Sequence, residues 1–273
     1  MIGVTPGGWE YLPAGWRNRA LRWGALLVCG LAAVWMGTVR ADCPAPAEAA
    51  VVTVAWVYDG DSLRLKDGRK LRLIGIDTPE LGRDGAPDRP GAEVARARLQ
   101  GLLDAQGGRV LLRPGLEARD RYGRRLVHLY LPDGRNLARL LLAEGLGLAV
   151  AVPPNLSSLD CYFDAEGQAR SARLGLWRGD PEVQAAELPA DAEGFHLVQG
   201  RIRRVGNSRR ALWLNLHGGL ALRVDRTDLQ YFSDLEADAR LGRALEVRGW
   251  IYRRNGERRM QLRHPAALRW LGE

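Results

Sequence analysis

Residues 51–80 read VVTVAWVYDGDSLRLKDGRKLRLIGIDTPE. Within them 51–58, 61–66 and 69–76 alternate apolar with polar or charged positions, the two-residue period of half-buried strands. Asp59-Gly60 and Asp67-Gly68 separate the runs. An Asp–Gly pair suits the positive φ of a tight hairpin, so the stretch predicts a three-strand antiparallel meander. Further along, 80–91 is a Gly/Pro/Asp/Arg loop, and 92–104 (AEVARARLQGLLD) has helical spacing. Two more strands are expected at 109–113 and 124–131. A helix follows over 136–144, with Asn136 as N-cap and Gly145 as stop. A last helix covers 157–174 and ends near Gly175-Leu176-Trp177. Residues 51–178 thus form an α+β unit of five strands and three helices.

The acidic, Ala/Pro-containing stretch 179–194 reads as a linker, as does 42–50. From 195 the pattern changes to five short strands, at 195–204, 211–216, 220–224, 244–252 and 258–263. A helical stretch around 227–240 falls between the third and fourth. That is the strand and helix order of an OB-fold barrel. The expected architecture is therefore α+β followed by β, with a smaller OB-fold-like barrel over 195–273.

The chain has 273 residues, 46% of them hydrophobic and 26% charged, which excludes a disordered chain, a collagen and a polytopic membrane protein. Only Lys66 and Lys70 among the 40 basic residues are lysine. The net charge of +8 is unevenly placed: +3 over 1–41, −3 over 42–194 and +8 over 195–273. A basic block on a folded unit points to a polyanionic partner.

Arg17, Arg19 and Arg22 precede an uncharged, mostly apolar run, 23–39, and then Val39-Arg40-Ala41. This is the pattern of a secretory signal peptide, with cleavage expected after Ala41. As a helix the run spans about 26 Å, short of the ~30 Å hydrocarbon core, which leaves an uncleaved N-terminal anchor as the alternative. Both readings export residues 42–273 to the periplasm or medium, with membrane contact only through an uncleaved 23–39. Cleavage removes Cys29 and leaves Cys43 and Cys161, which an oxidising compartment would join.

Acidic residues concentrate at two strand ends, Asp59-Gly60-Asp61-Ser62 and Asp77-Thr78-Pro79-Glu80. Carboxylates gathered without His or Cys select a hard cation, Ca²⁺, Mg²⁺ or Mn²⁺. Each segment alone is an ordinary turn former. That bland reading leaves unexplained Arg72, eight residues before Glu80, and the run Arg119-Asp120-Arg121-Tyr122-Gly123-Arg124. The four histidines, His128, His196, His217 and His264, are scattered, and none is assigned to metal or catalysis.

Together DGDS at 59–62, RLIGIDTPE at 72–80 and RDRYGR at 119–124 resemble the staphylococcal nuclease family, and CYFDAEGQARSARLGLW at 161–177 looks like that family's last helix. The resemblance covers about 51–178. It implies an OB-fold barrel with three helices and a metal-dependent nuclease, cutting DNA with RNA as a second substrate and leaving 3′-phosphate ends. It implies Ca²⁺ on Asp61, Asp77 and the Thr78 carbonyl, with Asp59 orienting. Glu80 would position or deprotonate the attacking water, Arg72 and Arg124 would hold the scissile phosphate, and Arg121 and Tyr122 would bind a terminal phosphate. One departure is plain: the family's type member carries base-stacking tyrosines where this chain has only aliphatic residues and glycine over 145–152.

Residues 195–273 resemble OB-fold modules that bind nucleic acid, single-stranded by preference. Arg203, Arg204, Arg209 and Arg210 lie near one strand–turn–strand. Arg253, Arg254, Arg258 and Arg259 flank Asn255-Gly256. Trp213 and Trp250 are expected in the barrel core, and Tyr252 either there or on the ligand. No stable protein partner is expected. The rival reading is a non-catalytic tandem-barrel binding protein, but such a protein has no use for clustered acids, which repel phosphate unless a cation intervenes.

Overall fold

The structure, a computed structural model, describes residues 43, 45, 47–82 and 85–272. The signal peptide expected over 1–41 falls outside them; no helix of the described residues is long and apolar enough to cross a membrane. In chain order the first half comprises β1 (Ala50–Val57), β2 (Ser62–Leu65), β3 (Lys70–Leu73), β4 (Ile76–Asp77) and α1 (Ala92–Asp104). There follow β5 (Arg109–Arg119), β6 (Arg125–Tyr130), α2 (Leu137–Ala143), β7 (Leu148–Ala149) and α3 (Leu159–Ser171).

The meander closes into a barrel in the order β1–β2–β3–β6–β5. Strand β3 runs parallel to β6, and β5 returns antiparallel to β1. Inward leucines such as Leu63, Leu65, Leu71 and Leu129 fill it, and α1 closes it with Leu99 and Leu103. Asn136 caps α2 by accepting from the Arg139 amide at 3.0 Å. At the β3–β4 corner Gly75 has φ +85°, and a Cβ there would lie 2.2 Å from the Tyr162 ring on α3. Only glycine lets that corner pass the helix. Cys43 and Cys161 are joined in a disulfide with a Cα–Cα distance of 5.8 Å, tying the start of the described chain to α3.

The second half comprises β8 (Glu182–Gln184), β9 (Gly194–Asn207), β10 (Ala211–Leu216), β11 (Leu220–Asp225), α4 (Leu235–Asp238), β12 (Ala244–Arg254), β13 (Glu257–Gln261) and β14 (Leu268–Trp270). Strands β9–β10–β11–β13–β12 close a second barrel, with β12 pairing back to β9 and β11 parallel to β13. The two barrels share one strand order and one parallel closure.

Three expectations need correction. The stretch 179–194 is not a free linker. Strand β8 pairs parallel with β9, Val183 opposite Val198, and Ala185, Leu188 and Ala192 bury into the second core. A three-residue strand with irregularly spaced small apolar residues carries no periodicity to read. The helix expected over 227–240 is a 3₁₀ turn at Leu229–Tyr231 and the single turn of α4. Asp234 between them has φ 57°, a left-handed conformation that interrupts a helix. Trp213 and Trp250 are not core: Trp213 is half-buried and Trp250 is 43% exposed. The core rows are Leu212, Leu214 and Leu216 on β10, and Leu245, Val247 and Ile251 on β12.

The barrels are docked by buried ionic contacts. Arg248 on β12 pairs with Glu166 on α3 at 2.6 Å, and its Nη1 also donates to the Ala149 carbonyl at 3.1 Å. Arg170 on α3 donates to Glu246 at 2.8 Å. Burial works against the Glu246 charge, but Arg170 and Arg269 bring its carboxyl down to about 2. Leu197 of the second barrel packs with Ala169 and Trp177 of the first.

Candidate active site

The β1–β2 hairpin and the β3–β4 corner meet because Ser62 pairs with Arg72 across β2 and β3. That register brings Asp59, Asp61, Arg72 and Asp77 together, all buried. The Arg72 guanidinium spans two carboxylates, donating through Nη1 to Asp61 Oδ1 and through Nη2 to Asp77 Oδ1, the latter at 2.5 Å. The Asp61 carboxylate also accepts from the Thr78 amide at 2.9 Å and from Ser62 Oγ at 2.9 Å. Asp59 Oδ1 accepts the Asp61 amide at 3.2 Å, fixing the turn that presents Asp61.

Three carboxylates around one guanidinium leave a surplus of buried negative charge. Burial, reinforced by Asp61, pushes the Asp59 carboxyl up to about 7. Burial raises Asp77 to about 7 as well, against the pull of Arg72 and with a push from Asp61. For Arg72 burial opposes the charge, but Asp61 and Asp77 outweigh it and raise its pKa further. Thr78 Oγ1 is buried without a hydrogen-bond partner. Among the described residues no three His, Cys, Asp or Glu side chains are placed to hold a metal by themselves. The available donors are carboxylate, hydroxyl and backbone oxygen, and the local charge is negative. That set fits a hard divalent cation completed by water, on Asp61, Asp77 and Thr78.

A cleft of about 980 Å³ opens over this cluster. Arg72, Asp77, Glu80, Arg121, Tyr122 and Arg124 line it, with Glu80 exposed. The β5–β6 turn carries the last three. Asp120 organises that turn: its carboxylate accepts the Tyr122 and Arg124 amides, both at 2.9 Å, and Arg124 Nε at 2.7 Å. Arg124 Nη1 also reaches Ser62 Oγ at 3.2 Å, which links the turn to Asp61. The Arg121 and Arg124 guanidiniums sit 4.8 and 5.5 Å from the Tyr122 ring centroid. Sequence reasoning gave no role to Asp120 or Ser62. Their signal is the Asx-turn spacing of Asp120 to Tyr122 and Arg124, and the place of Ser62 directly after Asp61.

The sequence that builds this site is similar to known proteins. The staphylococcal nuclease homologue family matches residues 70–179. A thermonuclease of Staphylococcus intermedius is 35% identical over 124 residues, which is 44% of this chain and 72% of that protein. The chain belongs to the staphylococcal nuclease family. Endonuclease YncB of Bacillus subtilis is 32% identical over 130 residues, 46% of this chain and 61% of its own length. The succinoglycan biosynthesis protein ExoI of Rhizobium meliloti is 32% identical over 141 residues, 50% of this chain and 69% of that protein. None of these three matches covers more than half of the chain, and the family match ends before the second barrel.

The C-terminal arginines named from the sequence fall into separate places. Tyr252, Arg253 and Arg254 line the nuclease-family cleft. Arg203, Arg204, Arg209 and Arg210 are exposed outside it. Arg258 is structural, donating to the carbonyls of Leu188, Gly218 and Pro189, the last at 3.1 Å. Arg259 lies 5.0 Å from the Trp213 ring centroid. His128 is buried between Tyr162 Oη at 2.7 Å and Ser157 Oγ at 2.9 Å, away from the acids.

Proposed function

We propose that the protein is a metal-dependent phosphodiesterase that cuts DNA, with RNA as a second substrate, single strands being preferred. The observation that carries this reading is the buried Asp59, Asp61, Asp77 and Arg72 cluster, whose Arg72 and Asp77 share one cleft with Glu80 and Arg124. A non-catalytic binding protein would gain nothing from three acids buried together at the cleft that receives phosphate, Asp77 on its wall and Asp59 and Asp61 behind it.

Asp61, Asp77 and Thr78 would hold the cation, Ca²⁺ by family resemblance, which when bound supplies positive charge to a non-bridging phosphate oxygen. Glu80 accepts a proton from the attacking water. Arg72 and Arg124 offer forked donors to the phosphate and stabilise charge as the fifth oxygen joins phosphorus. Arg72 makes that contact by giving up one of its present carboxylate partners. The 5′ oxygen leaves and is protonated from solvent, leaving a 3′-phosphate. Arg121 and Tyr122 hold a terminal phosphate beside the cut.

Export belongs to the same reading. It is supported by the arginines ahead of 23–39 and by the Cys43–Cys161 disulfide, a bond that persists in oxidising compartments. The test is cleavage of labelled single-stranded DNA by the purified protein with Ca²⁺, with Mg²⁺ and with chelator, beside Glu80→Gln. Metal-dependent cutting that falls about 100-fold or more in the variant supports the reading. Binding without cutting in every metal rejects it.

A further inference from the structure

The cleft does not belong to the first barrel alone, because β12 lines it from Arg248 to Arg254 and β13 adds Gln261. The two sides differ in chemistry. Among the described residues the first barrel brings one aromatic ring, Tyr122, and is aliphatic at Val150, Ala151 and Val152. The second brings Trp250 and Tyr252 from the outward face of β12, with Arg253 and Arg254 next along the strand. Trp250 and Phe195 meet in a T-shaped contact with ring centroids 4.9 Å apart, and Trp250 stays exposed, which leaves ring surface open. Arg253 and Arg254 are exposed and make no ion pair with any of the described residues.

Strand register extends this wall. Trp213 lies opposite Arg223, Arg223 opposite Gln261, and the pairing of Ile251 with Met260 sets Gln261 beside Trp250. The row Trp213, Arg223, Gln261, Trp250 therefore crosses four adjacent strands, about 14 Å at ~4.8 Å per strand. Arg223 and Arg259 sit 5.8 and 5.0 Å from the Trp213 ring centroid at its far end. At its near end Arg223, Gln261 and Trp250 are part of the cleft.

We propose that this row is a binding track for single-stranded nucleic acid, continuous with the cleft, so that one strand is held by the second barrel while its phosphate is cut on the first. The assignment rests on the phosphodiesterase reading of the first barrel. Aromatic faces stack on bases that have left a duplex, and arginines follow the backbone without reading sequence. Paired bases offer no free face to Trp250 or Tyr252, so the track selects single strands. Its position is fixed: Arg248, on the same face of β12 as Trp250 and two residues away, is locked to Glu166 of the first barrel.

The experiment uses the full protein and a labelled strand of ~16 nucleotides, the upper site size of one OB barrel. Binding is read by anisotropy in chelator, against the same strand in duplex. The parent should favour the single strand. Trp250→Ala with Tyr252→Ala should weaken single-strand binding tenfold or more, at 1–3 kcal/mol per stacked base, and duplex binding far less. Trp250→Phe with Tyr252→Phe should restore most of it. Arg253→Gln with Arg254→Gln, both at exposed positions, should reduce the salt slope by about 1.4, or ~0.7 per phosphate contact. Affinity and slope equal to the parent in all variants would overturn the track. If the parent binds through Trp250 yet cuts nothing in any metal, the track stands and the phosphodiesterase reading falls. If the parent cuts and the variants bind and cut as it does, the reading stands and the track falls.

Discussion

Arg248 donates through one nitrogen to both carboxylate oxygens of Glu166, at 2.7 and 2.6 Å, and the pair lies buried between the two barrels. Removing one partner strands a buried charge, which costs roughly 3–5 kcal/mol. Glu166→Gln should therefore destabilise the protein strongly, and Glu166→Leu with Arg248→Met should recover most of the loss. Urea unfolding decides this, and a cost below about 1 kcal/mol for the single variant would mean that water solvates the seam.

Ser62 carries the link between the Arg124 turn and the acids. Its hydroxyl donates to Asp61 and accepts from Arg124. Ser62→Ala should leave the fold intact and lower kcat about 10-fold or more, the scale of a lost charge-assisted bond. Ser62→Thr keeps the hydroxyl and should keep the rate. Steady-state kinetics beside thermal melts separate the two effects.

Two groups should make the fold sensitive to acid, in two windows, against the opposite contribution of Asp59 and Asp77, which burial raises to about 7. Burial first, and Arg113 second, lower His128 to about 4, against about 6.5 in the unfolded chain. Between those values the unfolded chain binds more protons, so stability falls as pH drops from 6.5 towards 4, by roughly 3 kcal/mol in all. Glu246, held down to about 2, adds a second loss below about 4.5. The His128 share is read as the difference in urea midpoint between the parent and His128→Gln at pH 7.5, 5, 4 and 3, since Asp59 and Asp77 act oppositely in both. The parent should lose stability relative to His128→Gln between pH 7.5 and 5 and not further between 4 and 3, and a difference constant with pH would place that proton elsewhere.

The disulfide closes a loop of sequence separation 118. Chain entropy alone gives such a crosslink about 5 kcal/mol. Cys43→Ser with Cys161→Ser should lower the melting temperature markedly in oxidising buffer, and reducing agent should do the same to the parent. A melt indifferent to both would show that the tether carries no stability.

The first barrel was legible because its signals are local. Asp–Gly turns flank short alternating strands, α1 starts and stops where its apolar spacing does, and Asn136 caps α2 as its residue type predicts. The acids and arginines of the site were nameable because they sit in three short segments. What escaped depends on distant pairing. Strand β8 exists only because β9 lies beside it. Trp213 shares a face with Asn215, and Trp250 with Glu246 and Arg248, so period two marked both as outward. Alternation with aliphatic residues is what placed them in the core, on the wrong phase of that alternation, and Arg223, Arg259 and Phe195 account for where they sit. Glu246 and Arg248 are themselves buried although outward from their own barrel, because the other barrel covers them.

Strand β12 is anchored through Glu246 and Arg248 and continues into the cleft with Trp250 and Tyr252. From Arg248 to Tyr252 is about 13 Å of rigid extended chain. A change at the anchor is thus transmitted to the cleft wall as a shift in where it stands, with no hinge between to absorb it. The two barrels are consequently poor interchangeable parts. A homologous second barrel grafted onto residues 43–178 would inherit the substrate wall only if it also brought the arginine that meets Glu166.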